Sequence, residues 1–209
     1  DALRARDVEV VTTDVCRLEK EFGKAVKGFE KKGVDAIVML HLAYSPSLES
    51  IGALAKTKLP LFVLDTTPDF EFGPQQDSGA ISYNHGIHGV QDMCNMLIRS
   101  GKAFEIEAGH YKESDVIDRM TSWIRAAALA NTLRGMRVGR IGEAFKGMGD
   151  FSVAEEVLAE KLGVEVTQIG LDALDAAVLQ VASDDVTREV AEDRERFRQA
   201  MTKIGLETP

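Results

Sequence analysis

Short apolar runs alternate with amphipathic segments along the first part of the chain. Residues 8–11, 36–40 and 61–64 are compact apolar runs, the pattern of short strands in a parallel sheet. The segments between them carry apolar residues every three to four positions, which is typical of helices that bury one face. These positions are Leu18, Phe22, Val26 and Phe29, followed by Leu48, Ile51 and Leu54. The order predicts a βαβαβ unit.

The same alternation resumes after an irregular segment. Residues 65–82 are rich in turn-forming residues and show no sustained period, which indicates a domain junction or a functional loop. Beyond them, strands are predicted at residues 103–106, 137–141 and 164–169, and helices at residues 87–98, 114–128, 153–162, 171–181 and 184–204. We therefore predict an α/β fold of two consecutive doubly wound, Rossmann- or flavodoxin-like parallel-sheet units. The predicted domains are residues 1–75 and 76–209.

Composition narrows the classes of function. The 209 residues include 25 basic and 34 acidic side chains, a net charge of −9 that disfavours binding to nucleic acid or to anionic membranes. No apolar run reaches the ~20 residues of a membrane span. Cys16 and Cys94 lie far apart in helix-like segments, so neither a disulfide framework nor a zinc knuckle is expected. We expect a cytoplasmic protein, and a fragment, because the chain opens at Asp1 rather than at methionine.

Candidate ligand-binding residues follow the predicted strands, since ligands of open parallel sheets bind outside the carboxyl ends of the strands. His41 and Tyr44 follow the second predicted strand, and Phe145 follows residues 137–141. His85 and His88 are three residues apart and share a helix face. They could hold a metal or bracket a substrate, or each could simply bond to nearby backbone. The residues alone indicate an α/β protein that binds a small polar molecule.

Several blocks of sequence, taken in order, resemble a known family. They are Ser-Tyr-Asn-His-Gly-Ile-His-Gly at residues 82–89, Gly-His-Tyr at residues 109–111 and Ser-Trp-Ile-Arg at residues 122–125. The chain is similar in these blocks to L-arabinose isomerases, within the broader L-arabinose and L-fucose isomerase-like group. The matching blocks fall between about residues 34 and 149.

The resemblance implies a metal-dependent aldose–ketose isomerase. In this family a divalent cation, usually Mn²⁺, holds two sugar oxygens while carboxylates move a proton through an enediol. The metal ligands and catalytic carboxylates of the family lie downstream, in a C-terminal catalytic domain that is absent from the fragment. We therefore assign no catalytic and no metal-binding residue to this chain, and expect it to be inactive alone.

The resemblance also implies which residues contact the sugar. His88 matches a histidine that reaches into the site of a neighbouring subunit, so a homo-oligomer, a trimer or a hexamer, is expected. Tyr44 falls at an aromatic wall, Phe145 near a position flanking the pocket, and His85 where the family has a polar amide; His41 completes the predicted set. Tyr111 stands in place of a tryptophan and Glu143-Ala144-Phe145 in place of an Asp-x-Met pattern. These departures leave the sugar open among pentoses, 6-deoxyhexoses and sugar derivatives.

Two alternatives to an isomerase remain open from the sequence. Two α/β lobes also describe a non-catalytic sugar-binding module of the periplasmic-binding-protein type. A structural remnant that serves oligomer contact through the helices at residues 87–98 and 184–204 is the other alternative. An isomerisation assay on the full-length protein separates these hypotheses.

Overall fold

The computed structural model describes residues 1–150 and 152–205. The chain forms two compact units, unit 1 (Asp1–Leu133) and unit 2 (Arg134–Pro209), which are treated separately below.

Unit 1 is built on a three-stranded parallel sheet. Its strands are β1 (Ile37–Leu40), β2 (Leu61–Asp65) and β3 (Glu105–Ala108), in the order β1-β2-β3. Leu40 lies opposite Leu64, and Asp65 lies opposite Ala108. All three carboxyl ends therefore meet at one edge of the sheet, as the alternation of strands and helices predicted.

Five helices accompany this sheet: α1 (Glu19–Lys32), α2 (Leu48–Leu54), α3 (Ala80–Tyr83), α4 (Gly86–Arg99) and α5 (Val116–Leu133). Because side chains alternate along a strand, the sheet has a core on each face. One core consists of Val26, Ile37, Leu54, Leu61, Met93 and Leu97, and the other of Phe62, Leu64, Val116, Ile117, Met120 and Ala127. Helices thus cover both faces, which confirms the predicted α/β class with parallel strands.

Unit 2 contains a second parallel βαβ unit and two further helices. β4 (Arg137–Ile141) pairs with β5 (Glu165–Ile169), and α6 (Glu155–Leu162) connects them. The chain continues into α7 (Leu171–Leu179) and α8 (Ser183–Lys203). Among the described residues of this unit, Val164 is the one buried hydrophobic side chain.

The structure differs from the sequence-based predictions in the bounds of several elements, in one predicted strand and at the predicted domain boundary. Residues 8–11 run without helix or strand, because no neighbouring strand pairs with them. The predicted domain boundary between residues 75 and 76 falls inside unit 1, because β3 pairs with β2 and joins the segments on either side of that boundary. In the part of the chain that the structure describes, no helix has the length and apolar character needed to cross a bilayer.

Candidate functional site

Two polar side chains follow neighbouring strands at the carboxyl edge of the unit 1 sheet. His41 comes directly after β1, and Asp65 ends β2. Because Leu40 lies opposite Leu64, His41 and Asp65 occupy adjacent positions in the sheet register. The alternation of side chains places both on the face that packs against α4.

Both side chains have a buried atom without a hydrogen-bond partner within the described protein. These atoms are His41 Nδ1 and Asp65 Oδ1. Burial lowers the pKa of His41, against the smaller opposing effect of the Asp92 carboxylate. Burial also raises the pKa of Asp65. In each case the low-polarity surroundings favour the neutral form, which can exchange hydrogen bonds with a neutral polar ligand.

Helix α4 begins directly against the end of β1, and two glycines allow this close approach. A Cβ at Gly86 would overlap the backbone carbonyl oxygen of His41, and a Cβ at Gly89 would lie 2.9 Å from Cδ2 of the His41 ring. The first turn of α4 therefore packs directly against His41, and its residues lie close to the C-terminal end of β1.

Tyr44, His85 and His88 form a cluster of rings at this edge, called the ring cluster below. The ring centroids of Tyr44 and His85 lie 5.6 Å apart, and those of His85 and His88 lie 4.6 Å apart with an edge-on geometry. Tyr44 is 48% exposed, and His88 is also exposed. The cluster offers solvent a flat aromatic face beside imidazole nitrogens, a combination that suits a small hydroxylated ligand.

Four of the five sequence-predicted site residues thus lie at one edge of unit 1. His41 supports the helix that carries His85 and His88, and Tyr44 contacts His85. Phe145 lies in unit 2, in the segment after β4, and is 70% exposed. Its place beside the other four stays a prediction.

A second group of aromatic rings lies where β2 and β3 end. The ring centroids of Phe70 and His110 are 5.4 Å apart, and those of His110 and Tyr111 are 4.8 Å apart. His110 Nε2 lies 3.2 Å from the carbonyl oxygen of Pro68, and the Tyr111 backbone N–H donates to Thr66 Oγ1. The segment after β3 is thereby tied to the loop after β2.

No pattern in the sequence indicates the hydrogen bonds that hold the start of α4. Asn84, which precedes His85, is 3% exposed and bonds to Asp69 in the loop after β2. The two residues are 15 positions apart in a segment without periodicity, and from sequence an asparagine two residues before a glycine is interpreted as an ordinary turn former. Asp65 follows the apolar run at residues 61–64, but the burial of its carboxylate oxygen cannot be seen in the sequence.

The described residues do not fit the divalent metal that the resemblance implies. Residues 1–150 and 152–205 contain no group of three or more His, Cys, Asp or Glu side chains placed to hold an ion. His85 and His88 supply two imidazoles without a third ligand, whereas a catalytic metal takes at least three protein ligands in most sites of this kind. The described residues of unit 1 are therefore not assigned a metal-dependent chemical step.

Comparison with known proteins identifies the family. A family model described as the L-arabinose isomerase N-terminal domain matches residues 2–135, a range that nearly coincides with unit 1. The chain is 27% identical over 190 residues to an L-arabinose isomerase of a Nocardioides species, covering 90% of this chain and 34% of the relative. It is 27% identical to that of Herpetosiphon aurantiacus, covering 81% of this chain and 34% of the relative. It is 26% identical to that of Thermotoga petrophila, covering 81% of this chain and 35% of the relative.

The chain therefore spans about a third of the length of the curated relatives that it matches. The family match extends over more than half of its residues and includes the whole sheet of unit 1. The chain belongs to the L-arabinose isomerase family, and the match covers that family's N-terminal domain.

Proposed function

We propose that unit 1 forms a substrate-recognition wall of an aldose–ketose isomerase. The observation that carries the proposal is the convergence of His41, Tyr44, His85 and His88 at the carboxyl edge of the sheet in a domain of this family. Parallel sheets bind small ligands at this edge, and imidazole and phenol groups suit the hydroxyl groups of a sugar.

The residues of the wall would bind and orient the sugar. The exposed imidazole of His88 can donate to one sugar hydroxyl or accept from another, depending on its tautomer. The face of Tyr44 provides an apolar surface for the C–H side of the sugar ring. Orientation of this kind contributes to isomerisation because the C–H bond beside the carbonyl reacts only when it is aligned with a base.

The remaining catalytic groups are proposed to come from polypeptide outside the described residues. These groups are the proton-transferring carboxylates and the ligands of a Mn²⁺ ion, and the chain alone is proposed to be inactive.

We further propose that the site is shared between subunits of a homo-oligomer, a trimer or a hexamer. The support for this is the exposure of His88 in the first turn of α4, where its imidazole faces solvent rather than the core of its own unit. Phe145 is proposed to flank the same pocket. A cytoplasmic location belongs to the same proposal and rests on the relatives being sugar isomerases.

Ketose formation by the full-length protein tests this function. The protein is incubated with Mn²⁺ and a panel of aldopentoses and 6-deoxyaldohexoses, with a chelator-treated sample and the 209-residue chain alone as controls. The proposal predicts ketose from at least one aldose with the full-length protein and Mn²⁺, and none in either control. Sugar binding without any ketose would contradict it and would favour the sugar-binding module.

A further inference from the structure

We propose that Asn84 is a positioning residue: its hydrogen bonds to Asp69 hold the start of α4, and therefore His85 and His88, against the loop after β2. This pair of residues is called the Asn84–Asp69 clamp. Its effect on the sugar rests on the proposed function, whereas its effect on the two histidines does not.

The side-chain amide of Asn84 is bonded on both of its atoms. Its Oδ1 accepts from the backbone N–H of Asp69 at 3.1 Å, and its Nδ2 donates to Asp69 Oδ2 at 2.8 Å. The same Nδ2 donates to the carbonyl oxygen of Ala80 at 2.8 Å. A buried amide with both donors and an acceptor lone pair in use has one preferred orientation, because any rotation would leave polar atoms unsatisfied.

Asp69 connects this amide to the rest of the loop. Its Oδ2 also accepts from Gln76 Nε2 at 3.1 Å, and its backbone carbonyl oxygen accepts from Thr67 Oγ1 at 2.7 Å. Thr67 and Gln76, which lie on either side of Asp69 in the sequence, therefore both donate hydrogen bonds to Asp69. The loop, which lacks helix or strand of its own over residues 66–79, is ordered around the same carboxylate that holds Asn84.

The Asn84–Asp69 clamp lies at the start of α4, where the helix has no side-chain cap. His85 occupies the N-cap position of α4 and makes no side-chain capping bond. Asn84, one residue earlier, closes α3 through its backbone N–H to Ala80 at 3.1 Å. Since a missing cap leaves the first turn of a helix less constrained, the neighbouring clamp fixes the direction in which α4 starts. That direction sets the contacts of the ring cluster.

The chemistry of the pair can be varied without changing its shape. Asn84→Ala removes the amide and leaves the Asp69 carboxylate and N–H without these partners. Asn84→Asp places two carboxylates against each other, which costs free energy at neutral pH. Exchanging the two residues, Asp69→Asn together with Asn84→Asp, retains one donor and one carboxylate between the two side chains, but removes the bond that Asn84 Nδ2 donates to the carbonyl oxygen of Ala80. The exchange therefore tests the pairing rather than either residue alone.

NMR of the chain labelled with ¹³C at the histidine rings provides the readout. The chain has four histidines, so four signals report on the site. We expect Asn84→Ala and Asn84→Asp to move or broaden the signals of His85 and His88, and the exchange to return them toward their original positions. The matched control is Asn131→Ala, which removes a 2.8 Å bond from Asn131 Nδ2 to Asp35 Oδ1 in the same unit. It should leave both signals in place.

Unmoved His85 and His88 signals in a folded Asn84→Ala chain would overturn the clamp. If that variant does not fold, Asp69→Asn, which keeps the shape of the side chain and removes its charge, takes its place under the same criterion.

Kinetics of the full-length enzyme separate the clamp from the proposed function. With the aldose that it converts, Asn84→Ala should raise KM about tenfold and change kcat much less, because sugar binding loses its oriented contacts. Equal losses in a folded enzyme for Asn131→Ala would contradict a specific positioning role. Moved histidine signals with an unchanged KM would leave the clamp standing and contradict the assignment of His85 and His88 to the sugar site.

Discussion

At the scale of single residues, the candidate site is the place where unit 1 leaves buried polar atoms unpaired. His41 Nδ1 and Asp65 Oδ1 have no hydrogen-bond partner, although the buried polar side chains Ser50, Thr57 and Thr121 of the same unit are bonded. An unpaired buried polar group costs about 1–3 kcal/mol. Costs of this kind are characteristic of ligand sites, where the ligand supplies the missing partner.

Replacing Asp65 by asparagine should stabilise the chain at neutral pH. Burial raises the pKa of Asp65 above its ordinary value of 3.8. The stabilisation contributed by its neutral form is thus present below about pH 3.8 and is lost as the pH rises through the raised pKa. Asparagine does not titrate, so Asp65→Asn should raise the free energy of unfolding by about 1 kcal/mol at pH 7 and by less in acid.

Urea unfolding at several pH values measures this difference. Asp175→Asn on the exposed surface of α7 is the control and should show no comparable gain. A destabilised Asp65→Asn chain at pH 7, or a gain that grows toward acid, would show that the carboxylate has a partner in the folded protein.

The sequence indicated where these residues lie in the fold, but not how buried they are or which hydrogen bonds they make. The rule that ligands bind at the carboxyl ends of parallel strands pointed to His41 and Tyr44, and helical spacing placed His85 and His88 on one face. It could not show that one carboxylate oxygen of Asp65 is buried, because burial depends on how α4 packs over the sheet. Nor could it show the Asn84–Asp69 clamp, whose partners meet only after the loop has folded.

At the scale of helices and strands, apolar periodicity predicted where most elements lie. Strand β4 begins and ends as predicted, and α1 ends at Gly33, whose φ of 66° lies in the left-handed region that glycine tolerates. The start of α1 is harder to predict from sequence. Thr12, Thr13 and Asp14 are residue types that often cap helices, but the helix begins at Glu19, and Glu21 accepts from the backbone N–H of Leu18 at 3.0 Å. Local composition offered several starting points, and long-range packing selected one.

The predicted strand at residues 8–11 shows the limit of local pattern. Its residues have the composition of a strand, yet in the structure they pair with no neighbour. A strand exists only through hydrogen bonds to another strand, so β propensity alone cannot establish one. The helices do not share this dependence, because their backbone bonds are internal.

We expect the stability of the carboxyl edge of the unit 1 sheet to depend on the packing of α4 more than on that of any other helix. Leu97 is fully buried in the core that also contains Ile37 and Leu61, whereas the adjacent Ile98 is 68% exposed. Leu97→Ala should lower the free energy of unfolding by about 2–5 kcal/mol, because it opens a cavity between helix and sheet. Ile98→Ala should change it by no more than about 0.5 kcal/mol.

Denaturant unfolding followed by circular dichroism compares these two variants in the same helix. Similar losses for both would mean that Ile98 is covered in solution, and therefore that α4 packs differently from the structure described above.

At the scale of the whole molecule, the two units differ in how much core they contain. Of the 16 buried hydrophobic residues in the described chain, all but Val164 lie in unit 1. Unit 1 is also the part that the family model covers, and the carboxyl edge of its sheet carries the four clustered candidates. The chain therefore combines a well-packed unit 1 with a second unit whose described residues are less buried.

The central claim is that the exposed edge of unit 1 contacts the sugar. The measurement that tests it most directly is kcat/KM of the full-length enzyme, with Mn²⁺ and the aldose that it converts, for His88→Ala against Tyr83→Ala. Tyr83 is 75% exposed and lies outside the ring cluster, so its replacement is the matched control. Loss of a sugar hydrogen bond of about 1–3 kcal/mol predicts a fall of roughly five- to 150-fold for His88→Ala. The account predicts this fall with Tyr83→Ala close to the unaltered enzyme. An unchanged kcat/KM for a folded His88→Ala enzyme would contradict it.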